Sequence, residues 1–467
     1  MSVALQIPVP ETDPAAIPAL VARLRKNFDN GTTRSLEWRR EQLTQLKKMA
    51  SECRDEFAEA LAKDLGKPTL EALAADVGQV TTEAALALKN LEKWTRAERI
   101  GTLPIPGRSL VIREPLGVIL IIAPWNYPVG LLLSPLVGAI AAGNCAVLKP
   151  SEITPHTSQV LARRIPEYMD SDAIALVEGG AEETTALLEE RFDHIFYTGN
   201  GRVARIVMAA AAKNLTPVTL ELGGKSPCIV DRDADMKITA RRIAWGKFMN
   251  AGQTCIAPDY VLVHEQRQEE LIRELGSVIK EFYGDDPKQT ADYARVVNGR
   301  HFERLAALLD EGTVAIGGQT DAEQNYIAPT VLRDVPRDGK IMQEEIFGPI
   351  LPVFSVSDVT EAIDIVNDGD KPLALYLFSS DEDTQQEVIE RTSSGGVCVN
   401  GTIMHIANPS LPFGGVGESG TGAYHGRHTF ETFSHRKSVL VRGFRFDPKI
   451  MYPPYTKFKT NLAKRIL

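Results

Sequence analysis

The stretch LGVILIIAPWNYPVGLLLSPLVGAIAAGNCAVLK, residues 116–149, decides how this chain folds. From Leu116 to Leu148 it carries no charge, yet Pro124, Asn126, Pro128 and Pro135 punctuate it, and Gly143 and Asn144 interrupt it again. A lipid-exposed helix would leave backbone groups unpaired at those breaks. The segment therefore reads as a buried strand, a loop, a helix and a second strand. Residues 116–123, LGVILIIA, are apolar at every position. A half-exposed strand would alternate; an unbroken apolar run suits a strand covered on both faces of a parallel sheet.

Working outward, residues 18–96 read as helices. Apolar positions recur at helical spacing in Leu43, Leu46 and Met49 and again in Phe57, Leu61 and Leu65, with charged residues filling the other faces. On the C-terminal side, strands predicted at 146–149, 173–178, 194–198 and 217–222 alternate with helices at 154–168, 182–190 and 203–212. Alternation of this length implies a doubly wound, Rossmann-like α/β domain. A second α/β pattern follows Cys228, with a helix at 236–249, a strand at 260–263 and a helix at 268–282. The 467 residues are enough for two or three domains.

The formal net charge is −9, which argues against a nucleic-acid partner, since that would want a basic stripe. The cysteines, Cys53, Cys145, Cys228, Cys255 and Cys398, are odd in number and include no C-x-x-C pair, so reduced thiols in a cytoplasmic compartment are expected. The eight histidines show no metal-ligand spacing, and no metal is expected. Residues 1–13 hold no basic residue and no apolar core, so no secretory signal is read there.

After the strand predicted at 194–198 comes GNGRVA, residues 199–204, at the start of a helix. It fits G-x-G-x-x-A in a strand-to-helix setting, where glycines let the backbone approach a pyrophosphate and the helix N-terminus favours an anion. An ordinary glycine turn fits the same residues. The fingerprint also wants an acid about 20 positions on to take a ribose hydroxyl, and Glu221 stands there.

Five ordered islands place reactive residues among glycines and prolines: APWNYP at 123–128, ELGGKSP at 221–227, GQTC at 252–255, EEIFGP at 344–349 and PFGGVG at 412–417. In this combination the chain resembles the aldehyde dehydrogenase superfamily, and its class 3 branch most closely in LTPVTLELGGKSP at 215–227 and RIAWGKFMN at 242–250. The resemblance runs from about residue 20 to 440. It implies an NAD(P)-dependent oxidation of an aldehyde to a carboxylic acid.

The chemistry behind that implication is direct. An aldehyde cannot release hydride easily, because an acylium ion would be left; a thiolate that adds first makes an adduct that can. By the resemblance the nucleophile is Cys255. A free thiol titrates near ~8.5, so its pKa must fall or a base must help. Asn126, with the backbone N–H of Cys255, matches the oxyanion donors, one of which is typically worth about 2.7–4 kcal/mol in the transition state. Glu221 matches the general base that brings water to the thioester, which displaces its mechanical reading as a ribose ligand. Lys149 and Glu152 match contacts to the adenosine ribose. Trp125, Thr198 and Gly199 match positions lining the cofactor, and Glu345 and Phe347 match contacts to the nicotinamide ribose. A carboxylate on both ribose hydroxyls suits NAD, and Lys149 leaves room for NADP. Where the family's loop reads T-G-S-x-x-V-G, this chain has Asn200 for serine and Ala204 for glycine.

Tyr127, Trp245 and Met249 match class 3 substrate-tunnel positions, although plain core packing would account for the same residue types. Trp245 and Met249 share a helix face. The resemblance also implies a homodimer built on an oligomerisation arm. The expected organisation is an NAD(P)-binding domain from 1–96 and 116–222, a catalytic domain from 223–415, and a small β arm from 97–115 and 434–445. The C-terminal segment 455–467 has four basic residues and no long apolar run, so no integral membrane segment is expected. Competing readings are a coenzyme A-acylating dehydrogenase, a Cys-dependent esterase without redox chemistry, and a non-catalytic protein on the same scaffold.

Overall fold

A computed structural model describes residues 11–101, 107–445 and 447–466. Residues 1–10 of the stretch 1–13, in which no secretory signal is read, and the part of the predicted arm at 102–106 lie outside the described residues. In chain order the strands are β1 (Glu98–Ile100), β2 (Arg108–Pro115), β3 (Val118–Ile122), β4 (Cys145–Lys149), β5 (Ile174–Leu176), β6 (His194–Thr198), β7 (Val218–Glu221), β8 (Pro227–Val230), β9 (Tyr260–His264), β10 (Thr313–Ile316), β11 (Thr320–Asp321), β12 (Tyr326–Ile327), β13 (Thr330–Arg333), β14 (Ile350–Val356), β15 (Ala374–Phe378), β16 (Gly396–Val399), β17 (Gly420–Thr421) and β18 (Ser434–Val441).

The charge-free stretch supplies β3, the helix Gly130–Ala142 and β4, and every residue of these three elements is buried. The helix is apolar all round because it has no solvent face. It packs against the helices Leu36–Glu52, Gly78–Thr95 and Arg427–Thr432. Among the described residues, no helix is long and apolar enough to cross a membrane.

The first sheet runs β17-β7-β6-β3-β4-β5. Its strands from β7 to β5 are parallel, and β17 is an antiparallel edge. The chain builds outward from β3 through β4 to β5, then crosses back to lay β6 and β7 on the other side of β3. Strand order therefore reverses between β3 and β6. Doubly wound sheets leave a ligand crevice at such a point, beyond the strand C-termini. Here β3 runs out into Pro124, Trp125 and Asn126, and β6 into Gly199 and Asn200.

The second sheet runs β10-β13-β14-β9-β8-β15-β16, with its own reversal between β8 and β15. Its interior strands are parallel and β10 is an antiparallel edge. The chain then returns, and β17 pairs Gly420 with Glu221 at the end of β7. This return lies beyond residue 415, so part of the segment after the expected catalytic domain completes the first sheet. A third sheet, β1-β2-β18, pairs Ser434 with Pro115 through to Val441 with Arg108 and leaves β18 largely exposed.

One expectation for the helical N-terminal region needs correcting. Its charged residues do not all face outward: Arg39, Lys67, Asp76 and Glu83 are buried. Each is paired. Arg39, for example, donates to the carbonyls of Thr33 and Ala141 at 3.1 and 3.2 Å. A buried charge is tolerated only with such partners.

Candidate active site

The loop that carries Cys255 is built around a strained turn. After the helix Met236–Phe248, Asn250 and Ala251 both take left-handed backbone angles, with φ of 51° each, and Gly252 follows at 73°. Non-glycine residues held there cost about 1–3 kcal/mol apiece. The surroundings hold the turn in place. Asn250 N–H donates to Glu71 Oε2 at 2.8 Å. The Gln253 side chain donates to the carbonyls of Asn250 and Arg295, both at 2.9 Å, and accepts from Val297 N–H at 2.9 Å. Gly252 is required by contact, since a Cβ would sit 2.2 Å from the carbonyl oxygen of Gly348 in the EEIFGP loop.

The PWNYP loop is stitched to this turn. Asn126 Nδ2 donates to the Gln253 carbonyl at 3.0 Å, and Asn250 Nδ2 donates to the Asn126 carbonyl at 3.0 Å. Tyr127 and Thr254 share a hydroxyl hydrogen bond of 2.8 Å. One amide N–H of Asn126 is thus spent on fixing its side chain, and a second N–H on the same nitrogen is left to donate elsewhere.

Cys255 opens into a cavity of about 690 Å³ whose lining includes Glu221, Thr198, Tyr127, Trp245 and Met249. The geometry thus gathers the Cys255 thiol, the Glu221 carboxyl group and the three expected tunnel residues around a single space, with Glu71 and Glu83 also in its lining. Met249 is buried, and Trp245, at 41% exposure, sits where the cavity meets solvent. Trp125, Asn126, Lys149, Glu152, Gly199, Glu345 and Phe347 are not among the lining residues; Asn126 meets the site through its bond to the loop before Cys255.

Burial sets the electrostatics. Glu221 is 2% exposed, and neither carboxyl oxygen has a hydrogen-bond partner among the described residues. That desolvation raises its pKa well above the ordinary value. Burial also raises the pKa of the Cys255 thiol, and the carboxyls of Glu345 and Glu221 raise it further; the backbone N–H groups of Cys255 and Ile256 oppose part of the rise. The sulfur therefore rests as a thiol, and a nearby cation would favour its ionisation.

Glu345 is the second unusual acid. Burial and then Asp259 push its pKa up to about 8, against the opposing pull of Gly224 N–H, Lys225 and Lys247. Gly223 lets Glu345 lie flat on the ELGGKSP loop, where a Cβ would meet Glu345 Oε2 at 2.1 Å. Lys225 ties the same two loops together, donating to Asp259 and to the carbonyls of Ile341 and Glu344. Phe347, at φ 48°, turns its ring edge-on to Trp125 at 5.3 Å, and His301 lies 5.2 Å from Trp125 on another side.

The crevice at the switch point fits a dinucleotide on its own chemistry. The N-terminus of the helix Gly201–Ala212 faces out of β6, a place where backbone N–H groups favour a pyrophosphate. Thr198 Oγ1 and Glu178 Oε1 are buried without partners among the described residues, which leaves polar atoms for a ligand to satisfy. Lys149 is buried at the end of β4 and donates to the Pro150 carbonyl at 2.7 Å. Burial lowers its pKa, while Glu152, Glu183 and Glu178 oppose the fall. Asn200, where the family has serine, uses its side chain to cap the helix, accepting from Val203 N–H at 3.0 Å. Gly199 is held against the Tyr197 hydroxyl, 2.2 Å from where a Cβ would be.

Sequence reasoning missed the buried supports: Glu71, Lys67, Asp76 and the Gln253 network. It also missed His425, which lines the cavity with both ring nitrogens engaged, by Glu83 at 2.9 Å and Gln79 at 3.3 Å. Charges inside an otherwise amphipathic helical region were the available signal.

Comparison with known proteins gives one consistent result. A family profile described as "Aldehyde dehydrogenase family" matches residues 5–439. The chain is 50% identical to the rat (Rattus norvegicus) protein named "Aldehyde dehydrogenase family 3 member A2", over 96% of this chain and 93% of that one. It is also 50% identical to the rat "Aldehyde dehydrogenase, dimeric NADP-preferring", over 94% and 98%. Among solved structures, the substrate-bound state of Staphylococcus aureus AldH superimposes with a TM-score of 0.94 at 45% identity, covering 96% of this chain and 99% of that one.

Proposed function

The chain belongs to the aldehyde dehydrogenase family, whose members oxidise aldehydes with NAD or NADP, and we propose that this one does so through a thioester on Cys255 hydrolysed with Glu221 as general base. The observation that carries the proposal is the placement of Cys255 and the unpartnered carboxyl of Glu221 in one cavity, with Asn126 bonded to the loop that bears the sulfur.

In this reading Cys255 gives up its thiol proton to solvent, its Sγ attacks the aldehyde carbon as thiolate, and the carbonyl oxygen takes up the negative charge. The uncommitted N–H of Asn126 and the backbone N–H of Cys255 receive that oxyanion. NAD(P), when bound, would be held by Lys149, Glu152, Trp125, Thr198, Gly199, Glu345 and Phe347 and would supply the two-electron acceptor for the aldehyde's hydrogen. Cys255 is left carrying the acyl group. Glu221, once ionised, has the basicity that burial confers and draws a proton from water as the water oxygen attacks the acyl carbon. The carbon–sulfur bond breaks, the acid departs, and Cys255 recovers its proton.

A base in the same cavity as the sulfur favours water over coenzyme A as acyl acceptor. An esterase of Cys-His type lacks its histidine, because the nitrogens of His425 face Glu83 and Gln79. The apolar tunnel of Tyr127, Trp245 and Met249 suits medium-chain or aromatic aldehydes. The proposed division gives NAD(P) binding to 1–96 and 116–222 and catalysis to 223–415, with Tyr127 and Glu221 reaching the cavity from the first and Cys255, Trp245 and Met249 from the second. The exposed strand β18 and segments 97–115 and 434–445 support a homodimer, in keeping with the word "dimeric" in one relative's name. A cytoplasmic location agrees with five unbridged cysteines. The test is Cys255→Ala: aldehyde-dependent NADH formation should vanish. Retained activity in that variant, or acyl-CoA formed when coenzyme A is added to the wild type, would refute the reading.

A further inference from the structure

Lys67 and Asp76 form an ion pair, Nζ to Oδ2 at 3.2 Å, and neither side chain is exposed at all. A pair so fully withdrawn from water adds little stability over apolar residues of the same size, so its presence calls for another reason. The same Lys67 Nζ donates to the Asn126 carbonyl at 2.7 Å and lies 4.1 Å above the centre of the Tyr127 ring. Asp76 Oδ1 accepts from Gly130 N–H at 2.5 Å. The pair therefore grips both ends of residues 126–130, the connection between β3 and the helix Gly130–Ala142. Asp76 reaches this place through a π-helical turn, Ala72–Val77, a feature that recurs at functional sites. Asn250 Nδ2 is the second donor to the Asn126 carbonyl, so Lys67 and the strained turn before Cys255 hold one peptide between them.

We propose that Lys67 and Asp76 are positioning residues for the aldehyde chemistry, fixing the peptide of Asn126 so that its side-chain amide meets the oxyanion formed at Cys255. This rests on the reading of Asn126 as oxyanion donor. A shift of about 1 Å in such a donor can cost about a hundredfold in rate, while substrate and cofactor contacts elsewhere stay as they are.

The experiment is a double-mutant cycle on the full-length enzyme. Lys67→Met and the charge-free pair Lys67→Met/Asp76→Asn are each made in the wild type and in Asn126→Ala. The readouts are kcat and KM for an aldehyde and NADH affinity by fluorescence titration. If Lys67→Met leaves Asp76 unpaired and fails to fold, the double variant, which removes both charges of the pair, carries the test. The expected result is a kcat lowered about ten- to a hundredfold, KM changed less than about threefold and NADH affinity unchanged. In the Asn126→Ala background the same substitutions should lower kcat by less than about threefold, because residues acting through one group are not additive. A kcat within about threefold of wild type, or an equal loss in both backgrounds, overturns the inference alone. Undiminished turnover in Asn126→Ala itself overturns the oxyanion reading and the inference built on it.

Discussion

Replacing Glu221 by glutamine separates what burial of this acid does to stability from what its carboxylate does to turnover. Both oxygens are buried without partners among the described residues, and burial raises the folded pKa well above 4.5. The folded chain therefore binds this proton more tightly than the unfolded chain. The stabilisation is complete below the unfolded value and is lost as pH rises toward the folded one, at about 1.4 kcal/mol per pH unit. Glutamine does not titrate, and Glu345 titrates equally in both proteins. The stability difference, variant minus wild type, should therefore grow as pH rises above the ordinary carboxyl range, by up to about 1.4 kcal/mol per pH unit. Urea unfolding at several pH values measures it. In turnover assays the same variant should release one NADH per site rapidly and then slow by about 10²–10⁴-fold, because only hydrolysis needs the base. A stability difference that stays flat as pH rises would mean the carboxyl reaches water, and the physical basis for a tuned base would be gone.

Asn126→Ala should lower kcat by about 10²–10³-fold with little change in KM, measured in steady-state aldehyde oxidation. Gly223→Ala would set a methyl 2.1 Å from Glu345 Oε2 and displace that acid; NADH affinity, followed by fluorescence titration, should weaken by about tenfold, or about 1.4 kcal/mol. Trp245→Ala opens the cavity where it meets solvent, so KM across a series of aldehydes should shift toward bulkier ones, and an unchanged series would remove Trp245 from the tunnel.

Much of this was legible in the sequence where burial leaves a simple mark. Strands β3, β4 and β6 are buried at every position, and the predicted strand at 194–198 coincides with β6. Between residue 283 and the arm at 434–445 no strand or helix was predicted, and the reason is physical. Strands such as β10 and β13 are four residues long, and β17 is two residues that join the first sheet some 200 residues after its neighbour β7. Pairing at that distance leaves no local periodicity. The reactive residues stood out because cysteine, asparagine and glutamate sat among glycines and prolines. Their supports did not. Lys67, Asp76 and Glu83 look like ordinary solvated helix charges until tertiary packing closes over them.

The most direct test of the account is where the acyl group goes. Glu221→Gln incubated with an aldehyde and NAD, quenched and digested, should yield one peptide heavier by the acyl mass, and that peptide should contain Cys255. An unmodified Cys255 after NADH has been released, or the added mass on Cys228 or Cys398, would contradict it.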